Sequence, residues 1–144
     1  MLFTDNRNEL RNVFRQAWRK RMDNAAMEPL EALVAQVVQE HPEYHSLLEG
    51  PEENLERDYL PEMGETNPFL HMAMHLAIRE QLAAQRPPGI VAAYQAMLEA
   101  LPDAHRVEHE MMECLAESLW QAQRTGQLPD ERAYLECLRQ RGQH

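Results

Sequence analysis

Residues 67–86 read NPFLHMAMHLAIREQLAAQR, and this stretch decides the fold class. Asn67 is a residue type that caps helices, and Pro68 suits the first helical position. The positions i, i+4, i+7 and i+11, which share one buried helix face, are occupied by His71, His75, Ile78 and Leu82. The run Arg-Pro-Pro-Gly at 86–89 then stops the segment. The pattern predicts a helix that ends near Gln85 and turns two histidines inward.

The rest of the chain has the same helical character. Good helix formers dominate the 144 residues, and there are only five glycines. Further helices are predicted at about 6–22, from 28–29 to a break at Pro42 with a short continuation to Gly50, and at about 90–101, 104–124 and 130–141. We therefore expect an all-α fold with a single helical domain over residues 1–144. It would be a helical bundle of five to six helices around a four-helix core, with a long acidic loop at 49–66 that holds seven acids against one base.

Composition excludes some classes of function. The formal net charge is −10, so a nucleic-acid backbone would be repelled and no nucleic acid is expected as a partner. No run of eighteen apolar residues occurs, so no membrane partner is expected. The N-terminal segment lacks a signal-peptide core, and a cytoplasmic location is expected. Cys114 and Cys137 share no metal-type spacing, and buried reduced thiols are the expectation for them.

The histidines are spaced in a way that chance does not explain. Six of the seven form pairs four residues apart: His41/His45, His71/His75 and His105/His109. Random placement would give roughly a third of one such pair. Residues at i and i+4 lie one above the other on a helix, so two imidazoles there can reach one metal ion.

An up-down-up arrangement of the helices would bring three of these segments to one layer. The helices near 68 and 104 would then start at the same end, where the helix before Pro42 finishes. Glu113 lies one turn beyond His109, and Pro42 disturbs the geometry at His41, so His45 is preferred to His41. The predicted metal ligands are His45, His71, His75, His105, His109 and Glu113. Histidines with one carboxylate suit iron, zinc or manganese, and nearby methionines keep copper as an alternative.

Other interpretations of the same residues remain. Buried neutral histidines that donate to carbonyl groups would need no metal. The string HRVEH at 105–109 matches the H-x-x-E-H motif of inverted zinc proteases, which need a further distal ligand. A non-catalytic interaction or regulatory module is the alternative function. In that case a homo-oligomer or an acidic protein partner would dock on the stripe Arg7, Arg11, Arg15 and Arg19. Whether the protein is an enzyme is left open; a catalytic metal would act as a Lewis acid or bind oxygen or hydroxide.

Several stretches resemble one family of short proteins. They are HPEYH (41–45), RDYLPE (57–62), TNPFLHMAMHLAI (66–78), RPPGI (86–90), MMECLAESLWQAQR (111–124) and PDERAYLECL (129–138). Their order resembles the domain-of-unknown-function family 1841, which implies a small bacterial domain without an established activity. The ligand pattern is more loosely similar to hemerythrin-like and DinB-like metal-binding bundles. His71 and His75 of this chain match the H-x3-H pair of those bundles, and His109 with Glu113 matches their H-x3-E pair. The first helix departs from that pattern because it carries no histidine.

Overall fold

The structure is a computed structural model and describes residues 7–51, 67–101 and 103–142. Within these residues it contains seven α-helices and one 3-10 turn, and no strand. In chain order these are α1 (Arg7–Met22), α2 (Pro29–Gln39), the 3-10 turn (Pro42–Tyr44), α3 (His45–Glu49), α4 (Pro68–Ala84), α5 (Ile90–Ala100), α6 (Ala104–Thr125) and α7 (Glu131–Arg141). The all-α prediction is confirmed, and most of the acidic loop predicted at 49–66 lies outside the described residues.

The chain divides into two compact units, residues 1–76 and 77–144, and the division falls inside α4. The predictions of a single domain and of a four-helix core stay predictions. No helix in the described ranges has both the length and the apolar character needed to cross a bilayer.

The first unit is built on the packing of α1 against α2. Their apolar stripes supply fully or almost fully buried side chains, among them Phe14 and Trp18 on α1 and Val34 and Val38 on α2. The indole Nε1–H of Trp18 also donates to a carboxylate oxygen of α3 at 3.0 Å. This core fixes the position of the segment between α2 and α3, which carries His41, and of His45 at the start of α3.

Helix α4 begins as its sequence predicts. The side-chain oxygen of Asn67 accepts the backbone N–H groups of Phe69 at 3.0 Å and Leu70 at 3.1 Å. Capping of this kind satisfies amide groups that have no partner inside a helix. The first half of α4 places Phe69, Met72 and Leu76 in the buried cluster of the first unit.

The second unit contains the end of α4 and helices α5 to α7. The carboxylates of Asp103 and Asp130 cap α6 and α7, accepting backbone N–H groups at 2.8 Å and 3.1 Å. Helix α6 ends at Gly126, whose φ of 68° is a left-handed conformation that glycine adopts without strain. Two residues attach α7 to the unit. Leu138 is buried, and the Tyr134 hydroxyl donates to the Gln81 side chain at 2.6 Å.

The expectation of reduced thiols is wrong. Cys114 on α6 and Cys137 on α7 form a disulfide, with Cα atoms 5.9 Å apart. The two residues are 23 positions apart in sequence and meet because α6 and α7 pack side by side. Spacing alone carries no signal for a pairing of this kind, which depends on how two helices pack.

Candidate metal site

His71 and His75 lie on successive turns of α4 and face each other. Their Nε2 atoms are 3.2 Å apart, and their ring centroids are 4.8 Å apart. His75 is completely buried, whereas His71 is half-buried. The spacing of four residues therefore brings both imidazoles to one place, as the sequence predicts.

His41 is the third imidazole of this cluster. Its ring centroid lies 5.2 Å from that of His71 and 4.7 Å from that of His75, and its side chain is 4% exposed. His41 Nδ1 lies 2.7 Å from the carbonyl oxygen of Val37. Because a carbonyl only accepts, Nδ1 carries the proton, and Nε2 of the neutral ring keeps the lone pair that a metal needs.

The three side chains fit a transition metal after a small adjustment. One ligand atom from each of His41, His71 and His75 can be chosen so that all lie within 4.8 Å of one another. Zinc–imidazole bonds of 2.0–2.1 Å at tetrahedral angles place two ligand nitrogens about 3.3 Å apart. The His71–His75 separation of 3.2 Å already has this value. The widest pair, at up to 4.8 Å, would have to close by about 1.5 Å when an ion binds.

Tyr44 lies beside the cluster in the 3-10 turn. Its ring is nearly parallel to that of His41, at 5.7 Å between centroids and 6° between planes, and stands edge-on to His71 at 6.3 Å. Burial raises the pKa of its phenol, and the charge of Glu43 raises it further. The phenol is therefore neutral at physiological pH. Nothing in the sequence spacing pointed to Tyr44.

His45, predicted as a ligand in preference to His41, lies elsewhere. Its Nε2–H donates to the carbonyl of Val38 at 2.8 Å, and its ring stacks on Trp18 with 4.3 Å between centroids. The break at Pro42 explains the difference. Because the proline starts a 3-10 turn, the backbone leaves the helical path at His41 (φ −124°, ψ 65°), and the two histidines no longer share a face.

The other predicted ligands belong to the second unit. The rings of His105 and His109 lie 4.4 Å apart on α6, and His105 is exposed. Glu113 is exposed and forms an ion pair with Arg141. Taken alone, the described part of the second unit holds no group of three potential ligands. A metal role for these residues stays a prediction.

The glutamate of the H-x-x-E-H string has a different environment from that of a catalytic base. Glu108 is 8% exposed and accepts a hydrogen bond from Arg79 Nε at 3.0 Å. This carboxylate is therefore engaged in a buried ion pair.

The arginine stripe of α1 is only partly at the surface. Arg11 is 4% exposed with its guanidinium 4.8 Å above the Phe69 ring, and Arg15 donates to the Gly50 carbonyl at 3.1 Å. Arg19 is exposed, while the side chain of Arg7 lies outside the described part. The docking of a second copy or of an acidic protein partner on this stripe stays a prediction.

Fold and site together define an all-helical protein with a candidate three-histidine centre. The chain belongs to the family described as Domain of unknown function (DUF1841), whose model matches residues 6–140. This confirms the family resemblance seen in the sequence motifs. No curated protein and no solved structure matches the chain. The looser similarity to hemerythrin-like bundles stays a hypothesis.

Proposed function

We propose that this protein binds a transition-metal ion through His41, His71 and His75. The observation that carries the proposal is the convergence of three imidazoles, two of them buried, with ligand atoms within 4.8 Å. Burying several ionisable side chains together is costly unless they pair or bind an ion. The chain contributes them from two separate segments, the end of α2 and the start of α4.

The donor set favours certain metals. The cluster has three nitrogen donors, and the chain has no free thiol among its described residues. Imidazole suits zinc, iron and copper, whereas manganese prefers oxygen donors that this cluster does not supply. The proposed ion is therefore zinc, iron or copper.

Three protein ligands would leave the fourth coordination position of the metal ion open. Catalytic zinc sites keep a fourth position for water or substrate, whereas structural sites close it with a protein ligand. The Val37 carbonyl would hold the His41 ring in the orientation and tautomer that ligation requires, as outer hydrogen bonds do at known metal sites. The neutral phenol of Tyr44 lies close enough to influence what binds there.

Elemental analysis by mass spectrometry tests the proposal. Untagged protein would be purified without chelator and also reconstituted with zinc, iron(II) or copper. We expect close to one ion per chain in the wild type and almost none in His71→Ala/His75→Ala. The matched control is His105→Ala/His109→Ala, which removes a pair of the same spacing from α6.

Each result has a definite meaning. Retention of metal by the control and loss from the α4 variant support a centre at His41, His71 and His75. Loss from the control as well would contradict a three-histidine centre and favour the wider ligand set predicted from the sequence. No metal in any preparation would contradict the proposal and favour an interaction module with structural histidines.

A further inference from the structure

The disulfide of the second unit forms part of the wall of an open cleft. The cleft has a volume of about 440 Å³ and is lined by Cys114, Cys137, Glu117, Asp130 and other residues of α6, α7 and the connection between them. Cys114 is 1% exposed, whereas Cys137 is half-buried. The cross-link can therefore be approached from solvent, and from the side of Cys137.

We infer that this disulfide is a site of thiol–disulfide exchange with small-molecule thiols, which attack at Cys137. The incoming thiolate forms a bond to Cys137 Sγ, and the bond between the two cysteine sulfurs breaks. The electron pair leaves with Cys114 Sγ, which takes a proton from water. A second thiolate then bonds to the small-molecule sulfur of the mixed disulfide, and the bond from that sulfur to Cys137 Sγ breaks. The electron pair leaves with Cys137 Sγ, which takes a proton from water, and the two small thiols leave as their disulfide dimer. Two thiols are thus oxidised for each protein disulfide reduced.

The charge of the cleft determines which thiols react fastest. Its charged lining residues are Glu117 and Asp130, both acidic. A carboxylate about 6 Å away in water raises the local concentration of a cationic thiol roughly threefold and lowers that of an anionic thiol by the same factor. Salt reduces both effects. We expect a cationic thiol to react on the order of tenfold faster than an anionic thiol at equal thiolate concentration.

Exchange would release α7 from α6. Besides the disulfide, α7 is held by its packing against α5 and α6, by the buried Tyr134, whose hydroxyl donates to Gln81, by the buried Leu138, and by ion pairs of Arg141 with Glu110 and Glu113. The helix has eleven residues and two of its side chains are buried, so the covalent link is a substantial part of what fixes it to α6. In the reduced protein, α7 would therefore open more often while α6 keeps its structure.

The kinetic test uses cysteamine as the cationic thiol, 2-mercaptoethanol as the neutral one and mercaptoethanesulfonate as the anionic one. The oxidised wild-type protein is treated in native buffer, quenched with acid and mapped by peptide mass spectrometry. We expect a mixed disulfide on Cys137 and a rate proportional to thiolate concentration. At equal thiolate concentration the rates should follow the order cationic, neutral, anionic. In Glu117→Gln the spread between the thiols should narrow.

Other results would overturn the inference. These are a mixed disulfide mainly on Cys114, a rate that does not depend on thiolate concentration, or equal rates for the three thiols at equal thiolate concentration. Two N-ethylmaleimide adducts on air-oxidised native protein would overturn it too, because the thiols would then be unpaired.

Hydrogen exchange tests the release of α7. On reduction, the amides of Glu131–Arg141 should exchange about tenfold faster or more, and those at the start of α6 should not change. A double variant, Cys114→Ser/Cys137→Ser, should show the fast exchange without any thiol. Unchanged protection of α7 in both samples would mean that the cross-link does not hold the helix.

Discussion

Replacing His41 should remove most of the stabilisation by zinc, whereas replacing His45 should leave it unchanged. The two residues are four positions apart, and the imidazole of each donates to a carbonyl at the end of α2. Only His41 lies in the cluster with His71 and His75. The pair His41→Ala and His45→Ala therefore separates metal binding from the support that an imidazole gives to α2.

The expected magnitude follows from mass action. Free zinc at one hundred times its dissociation constant stabilises a folded protein by about 2.7 kcal/mol. For a chain of this size, each kcal/mol raises the melting temperature by about 3 °C, so zinc should raise it by about 8 °C. Loss of a partner that merely orients a ligand weakens metal binding by 10- to 100-fold, so loss of a ligand itself weakens it by about 100-fold or more. In His41→Ala the same zinc concentration then gives about 0.4 kcal/mol or less, a shift of about 1 °C.

The assay is circular dichroism at 222 nm during heating, with and without zinc, for the wild type and both variants. Both variants should melt below the wild type without zinc, because each loses a hydrogen bond to α2. Only the difference between zinc-bound and zinc-free melting temperatures reports on the site. A full shift in His41→Ala together with a lost shift in His45→Ala would refute the assignment of the ligands.

Three further predictions concern the second unit. Cys114→Ser/Cys137→Ser should lower the free energy of unfolding by about 3 kcal/mol in urea titrations, because the disulfide closes a loop spanning 23 positions. Tyr134→Phe should flatten the loss of stability above pH 10. Burial raises the pKa of Tyr134 in the folded protein, so the unfolded chain ionises first and stability falls as pH rises through the folded value. Arg141→Gln should raise the pKa of Glu110, which a hydrogen bond from Arg141 lowers, as measured by NMR titration. The stability due to the lowered pKa of Glu110 is present above the pKa of the unfolded chain and declines as pH falls through the lower pKa of the folded protein. Arg141→Gln should therefore lose less stability in acid than the wild type does. An unchanged Glu110 titration would contradict the pairing.

The helices were predictable because their ends depend on local chemistry. Asn67 followed by proline, the aspartates before α6 and α7, and Gly126 act through their own backbone and a few neighbours. Each can be recognised without knowing what the helix packs against. The predicted helix boundaries accordingly agree with the structure to within about a residue for α1 and α4 to α7.

The candidate site was only half predictable. The His71–His75 contact follows from a spacing within one uninterrupted helix. The choice between His41 and His45 depends on the backbone path around Pro42, which a proline permits in more than one form. The disulfide depends on how α6 and α7 pack, which is a property of distant segments.

The two hydrogen bonds from histidines to α2 make the imidazoles C-terminal caps of that helix. The backbone N–H of His41 donates to the Val38 carbonyl at 3.0 Å, and its ring Nδ1–H donates to the Val37 carbonyl. Without the imidazole, the Val37 carbonyl would need another donor near the helix end. An ion on Nε2 would make Nδ1–H a stronger donor, so ligation and helix termination would reinforce each other. Fraying of α2 at Gln39 would thus report whether the site holds a metal ion. A substitution of His41 would remove a metal ligand and the C-terminal cap of α2 together.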